Sequence, residues 1–196
     1  MPADAPKIDA VRSPELMSAN ETALLVVDAQ EKLLNVVPGR KHIEWNIRRL
    51  LDAAAILEVP TAATEQYPEK LGHFPAALAE RLHEPASKLS FSGAACGPFF
   101  DAWRNAGRYR ILICGIETHV CIAQTAFDLA AAGWLVYIAV DAVGTRHPID
   151  HETALRRMAS AGIVLTTTEA AIFEWCRIAG TPEFKQISAL AKEKGP

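Results

Sequence analysis

Six short β-prone runs alternate with helix-period segments along the chain, and this alternation limits the fold more than any other feature. The runs are Ala23–Val27, Thr61–Thr64, a short element ending near Lys88, Ile111–Cys114, Leu135–Val140 and Ile163–Thr166. Between the first two, Ile43, Ile47, Leu50, Ala54 and Leu57 recur at spacings of four, three, four and three, which draws one apolar helix face. Ala154, Leu155, Met158 and Ala159 read the same way, and Thr166 with Glu169 has capping-box spacing ahead of a further helix. Phe184, Ile187, Leu190 and Ala191 predict a last amphipathic helix before the charged tail. Strands that alternate with helices on this scale are joined by right-handed crossovers. The expected class is α/β: a three-layer α/β/α, Rossmann-like fold around a mostly parallel, roughly six-stranded sheet.

With 196 residues, half of them hydrophobic, the chain fits one compact domain over 21–196 behind an N-terminal arm, 1–20. A protein of this size buries roughly 70% of its unfolded surface and needs no staples. Cys96, Cys114, Cys121 and Cys176 show neither CxxC pairs nor zinc-finger spacing, so a reduced compartment is the simpler expectation. The arm carries Asp4, Asp9 and Glu15 and lacks the apolar segment of a secretory signal. No apolar run approaches the roughly 20 residues that cross a bilayer. The formal charge of −3 arises from 20 basic and 23 acidic residues mixed along the chain, with no basic stripe. These features predict a cytoplasmic protein with a small-molecule substrate, no nucleic-acid or membrane partner, and a homo-oligomeric state.

In a parallel sheet, reactive groups gather at the carboxyl ends of the strands, near the point where strand order reverses. Asp28 ends the first run, Lys88 closes the third and Cys121 follows the fourth. Taken singly, Asp28 is a turn former, Lys88 a solvated lysine and Cys121 a packed helix residue. Taken together they make a working set. Thr118 as N-cap puts Cys121 in the first helical turn, where the helix dipole and a nearby ammonium are expected to favour the thiolate. Asp28 then serves as general base, and the N–H groups of Glu117 and Cys121 form an oxyanion hole.

The residues now carry a resemblance. Val26-Val-Asp28, Lys88-Leu-Ser-Phe-Ser92, Gly115-Ile-Glu-Thr-His-Val-Cys121 and Asp141-Ala-Val-Gly-Thr-Arg-His147 resemble the motifs of the isochorismatase-like cysteine hydrolases from about residue 20 onward. The resemblance implies an Asp28, Lys88, Cys121 triad and a non-proline cis peptide at Ile116–Glu117. Thr64-Glu-Gln-Tyr-Pro68, Leu71-Gly72 and Pro182-Glu-Phe-Lys-Gln-Ile187 are similar to the isochorismatase domain-containing subgroup.

Two departures narrow the chemistry. Glu65-Gln66-Tyr67 stands where nicotinamidases carry an Asp-x-His metal cluster, so no metal and no cofactor are expected. Isochorismatases proper cleave a vinyl ether without a cysteine nucleophile, and Cys121 points instead to acyl transfer. Glu65, Gln66, Tyr67, Phe91 and His119 are the candidate substrate-binding residues; His119 stands where relatives commonly have an acid. His147 and His151 are four apart, but Pro148 intervenes and no HExxH glutamate is present, which favours a helix-start role over metal binding. The expected function is hydrolysis of a small amide-like or carbamoyl compound through a thioester. The rival is a non-catalytic oligomeric scaffold or thiol redox sensor on the same fold, with Cys96 or Cys114 as the resolving thiol.

Overall fold

The computed structural model describes residues 11–196. The first ten residues of the expected N-terminal arm lie outside this range. Six strands, β1 (Thr22–Val27), β2 (Thr61–Gln66), β3 (Ala86–Lys88), β4 (Arg110–Ile116), β5 (Leu135–Gly144) and β6 (Val164–Thr166), form one sheet in the order β3-β2-β1-β4-β5-β6. Every pairing is parallel. The order reverses between β1 and β4, so the crevice of the fold opens between the ends of those two strands.

Successive strand residues serve opposite layers, because side chains on a strand alternate between faces. Leu24, Val26, Leu112, Cys114 and Tyr137 join one core, with α2 (Arg40–Ile56), α8 (Thr168–Cys176) and α9 (Pro182–Ala191). Ala23, Leu25, Val27, Ile111, Ile113 and Ile138 join the other, with α5 (Phe99–Asn105), α6 (Ala123–Ala131) and α7 (Pro148–Ser160). This is the three-layer α/β/α arrangement. Three single-turn helices, α1 (Glu31–Leu34), α3 (Pro68–Leu71) and α4 (Ala76–Ala79), fold the crossovers from β1 and β2 onto the sheet's upper edge.

The short elements depart from the sequence reading where local chemistry intervenes. α8 is capped by Thr167, whose hydroxyl accepts from Ala170 N–H, rather than by Thr166. The Asp141 carboxylate explains the slip, since it takes both the N–H (2.7 Å) and the hydroxyl (3.0 Å) of Thr168 and so fixes the start of the helix. The described part of the arm packs on its own chain. Met17 is fully buried and its N–H donates to Glu174 Oε2 at 2.8 Å, while Arg12 donates to the carbonyls of Met17 and Glu174. No helix among the described residues is long and apolar enough to cross a membrane.

Candidate active site

Gly115 builds the first wall of the site. It pairs with Val27 across β1 and β4 and has φ +122°, and a Cβ there would lie 1.9 Å from the Val27 carbonyl oxygen. Only glycine lets the two strand ends approach so closely at that backbone angle. One residue beyond Val27, the chain turns at Asp28 (φ +51°), whose N–H donates to Thr64 O at 3.0 Å. The Asp28 side chain is fully buried.

Lys88 ends β3 in register with Gln66 on β2. Its ammonium reaches Asp28 Oδ2 at 2.6 Å and Gln66 Oε1 at 2.6 Å, and donates to the carbonyls of Phe91 at 3.0 Å and Ser90 at 3.1 Å. An ammonium has three protons, so these four acceptors saturate it. Thr64 Oγ1 donates to Asp28 Oδ1 at 2.8 Å, and the Cys121 thiol faces that carboxylate. Asp28, Lys88 and Cys121 therefore meet, although they are far apart in sequence.

The nucleophile turn differs in detail from the expectation. Ile116–Glu117 is a cis peptide bond. Thr118 does not cap: its hydroxyl pairs with His151 Nδ1 at 3.0 Å, and Thr118–Ile122 forms a π turn closed by Ile122 N–H to Glu117 O at 3.2 Å. α6 follows directly. The electrostatics also correct the expectation of a ready thiolate. Burial, then the facing Asp28 carboxylate, push the Cys121 thiol up to about 12, against the opposing pull of Lys88. Burial likewise raises Asp28 above the ordinary carboxylate range, although Lys88 and the hydrogen bonds from Cys121 and Thr64 oppose it. The helix terminus offers only a partial positive charge, whereas the thiol is desolvated beside a full negative one.

The five candidate substrate residues fall into different settings. Gln66 is committed to Lys88, its side-chain amide donates to Leu89 O at 2.8 Å, and its backbone N–H donates to Gln30 Oε1 at 2.7 Å. Glu65 is buried and accepts from Phe74 N–H at 3.1 Å and pairs with His73 Nδ1 at 2.8 Å. Tyr67 and Phe91 are exposed at the ends of β2 and β3, with Leu89 beside them. His119 Nδ1 meets Thr145 Oγ1 at 3.0 Å, and its Nε2 lies 3.8 Å from Asp150. Among the described residues, no three His, Cys, Asp or Glu side chains come together in a way that holds a metal ion.

Several residues of the site escaped the sequence reading. Thr64 and Gln30 were readable only as neighbours of Asp28 and Gln66 across parallel strands, which needs the register. Thr125, one turn beyond Cys121 on α6, receives Gly93 N–H at 2.8 Å and clamps the loop after β3. Arg146 and Thr145 had a signal, since they lie in the motif after the fifth strand, and both bind the Glu117 carboxylate.

The isochorismatase domain family matches residues 22–170, a span that contains all of these groups. The chain belongs to the isochorismatase family. Isochorismatase domain-containing protein 2 of Bos taurus is 39% identical over 174 residues, covering 88% of this chain and 84% of the bovine protein. The MAR1 ribonuclease of Caenorhabditis elegans superposes with a TM-score of 0.85 at 37% identity, covering 92% of this chain and 94% of that one. The YcaC gene product of Escherichia coli, described as an octameric hydrolase of unknown specificity, shares the fold with a TM-score of 0.79 at 24% identity, covering 92% and 89%. Membership of the isochorismatase family supports a hydrolase at the level of reaction class.

Proposed function

We propose that the protein is a metal-independent cysteine hydrolase of a small amide-like or carbamoyl compound, working through a thioester. The observation that carries this reading is the convergence at one sheet edge: Lys88 holds the Asp28 carboxylate at 2.6 Å, and that carboxylate faces the buried Cys121 thiol closely enough to act on its ionisation. A thiol that is protonated at rest needs a base in contact, and Asp28 is in contact. As Sγ of Cys121 attacks the carbonyl carbon, its proton passes to Asp28, and the N–H groups of Cys121 and Glu117 receive the oxygen. Asp28 then gives that proton to the departing amine. In the second half a water loses its proton to Asp28 and cleaves the thioester, which restores the thiol and releases the acid. Lys88 keeps the carboxylate oriented and offsets its charge beside the forming thiolate. Tyr67 and Phe91 are proposed as walls of the substrate pocket, and the exposed apolar rim they share with Leu89 supports the homo-oligomeric state.

The sensor alternative asks for an accessible, low-pKa thiol. Cys121 is buried with its pKa raised, and burial also pushes Cys96 up, so neither meets that demand. RNA is a competing substrate class because three structural relatives carry ribonuclease in their names. Lys88, saturated by four acceptors, leaves no free ammonium for a phosphate at this site.

A screen of small amides and carbamoyl compounds, with intact-mass detection of the acylated enzyme, tests the reading. The expected result is an adduct on Cys121 that turns over, and whose formation is lost in Asp28→Asn. Cleavage of RNA that survives Cys121→Ala, with no amide turned over, would overturn it.

A further inference from the structure

The residue that offers its N–H to the proposed oxyanion hole also carries a negative charge. Glu117 lies at the end of β4, four residues before the nucleophile, and its carboxylate adds to the forces that raise the Cys121 thiol. A free carboxylate at this point would repel both the thiolate and the oxyanion that form during attack. The carboxylate is not free. Arg146 Nε donates to Oε1 at 2.9 Å and its Nη2 to Oε2 at 3.3 Å, a forked pair that fixes the plane of the carboxylate. Arg146 N–H and Thr145 Oγ1 add two further donors to Oε1, each at 3.2 Å.

These donors all come from the loop between β5 and α7, so the contacts tie the nucleophile turn to the neighbouring strand end. Thr145 has one hydroxyl proton and gives it to Glu117; it must therefore accept from His119, which fixes the proton of that imidazole on Nδ1. The titratable and charged groups around the turn are then Asp28 and Lys88 at the ends of β1 and β3, Cys121 and His119 on the turn itself, and Arg146, Asp150 and His151 after β5. Of these, only Arg146 both neutralises the Glu117 charge and sets its direction. The pairing also holds Glu117 below the ordinary carboxylate range against the opposing effect of burial, so it stays ionised and paired through the neutral range.

We propose that Arg146, acting through Glu117, is a positioning residue of the oxyanion turn: it draws the Glu117 carboxylate onto the β5–α7 loop and cancels its charge, leaving the Glu117 N–H open to a substrate oxygen. The proposal rests on the hydrolase reading for its effect on turnover, and on the Arg146–Glu117 hydrogen bonds together with the charge of Glu117 near the thiol for its effect on Cys121. Arg146 touches no reacting atom, and its side chain is half exposed, so its loss leaves the core intact.

The test uses the full chain and two readouts. In Arg146→Ala, kcat on any amide identified by the screen falls about 10- to 100-fold while KM changes little, the signature of a misplaced catalytic group. Alkylation of Cys121 by iodoacetamide at fixed pH also slows, because an unpaired Glu117 repels the negative charge that forms on sulfur as it attacks. Arg146→Lys restores part of both rates by keeping the charge. The double variant Arg146→Ala with Glu117→Gln alkylates faster than Arg146→Ala alone, since the offending charge is gone. Unchanged turnover and alkylation in a folded Arg146→Ala protein would overturn the proposal, as would a double variant no faster than the single one. If no amide is turned over by the wild type, the alkylation arm still decides the role of Arg146, and the hydrolase reading fails separately.

Discussion

A thiol with its pKa raised to about 12 cannot act by being ionised in advance, and this sets what Asp28 must do. The proton has to leave as the sulfur attacks, so the reactivity of Cys121 follows the carboxylate beside it rather than the pH of the solution. Positioned general bases contribute about 10²- to 10⁴-fold to such steps. We therefore expect Asp28→Asn to slow alkylation of Cys121 by a small electrophile by at least about 100-fold. Cys176, which is half-buried and distant from Asp28 in sequence, provides the internal reference and should react at its wild-type rate. Peptide mapping after timed exposure reads both sites, and equal slowing at both would mean a general change in the fold instead. That Asp28, Lys88 and Cys121 gather at one edge of the sheet was legible in the sequence, because each stands at or just beyond the end of a β-prone run. The direction of the thiol shift was not. It depends on desolvation and on which end of Asp28 faces the sulfur, and neither is written in residue spacing.

At the scale of elements, the β-prone runs located five strands and a short element ending near Lys88 marked the sixth, but the short pieces between them stayed hidden. α5 contains Phe99, Phe100 and Trp103 in a single two-turn helix after Pro98, too short for a period to emerge. Thr118 looked like a cap because threonine so often is one, yet tertiary contact with His151 claimed its hydroxyl and the turn opened to π geometry. β4, which leads into this turn, carries a sharper demand at Gly115. Gly144 on β5 is also crowded, but there the added Cβ meets the Cδ1 of Ile43 at 2.4 Å and the Cγ1 of Val37 at 3.0 Å, side-chain ends that are able to shift. Gly144→Ala should cost about 1–3 kcal/mol, as overpacking does. At Gly115 the obstacle is the Val27 backbone, and the φ of +122° is closed to alanine. We expect Gly115→Ala to cost more than about 4 kcal/mol, or to prevent folding, in denaturant titrations of both variants. Equal midpoints would show that β1 and β4 are able to separate without loss.

Across the whole molecule, the two apolar layers hold the sheet while its upper edge buries an ion pair that does little for stability. Lys88 and Asp28 have side chains 2% and 0% exposed, and burying both charges consumes much of what their attraction returns. The raised pKa of Asp28 expresses the same conflict. A carboxyl group whose folded pKa lies above its unfolded value adds stability at low pH, and that contribution is lost as the pH rises through the folded value. At neutral pH the ionised Asp28 is thus a burden that Lys88 relieves in part. Lys88→Met removes that relief, and breaking a buried pair costs about 3–5 kcal/mol. Its deficit against the wild type should shrink as the pH falls from neutral toward the ordinary carboxylate range, because Asp28 takes up a proton and sheds its charge. Asp28→Asn strands the ammonium and should be destabilised at neutral pH as well. The double variant, Asp28→Asn with Lys88→Met, removes both charges and should recover most of the wild-type stability while remaining without turnover. Urea midpoints for the four proteins at two pH values decide the matter. A double variant weaker than either single one would mean that the pair holds the fold together, and that the ends of β1 and β3 were not built for chemistry at the expense of stability.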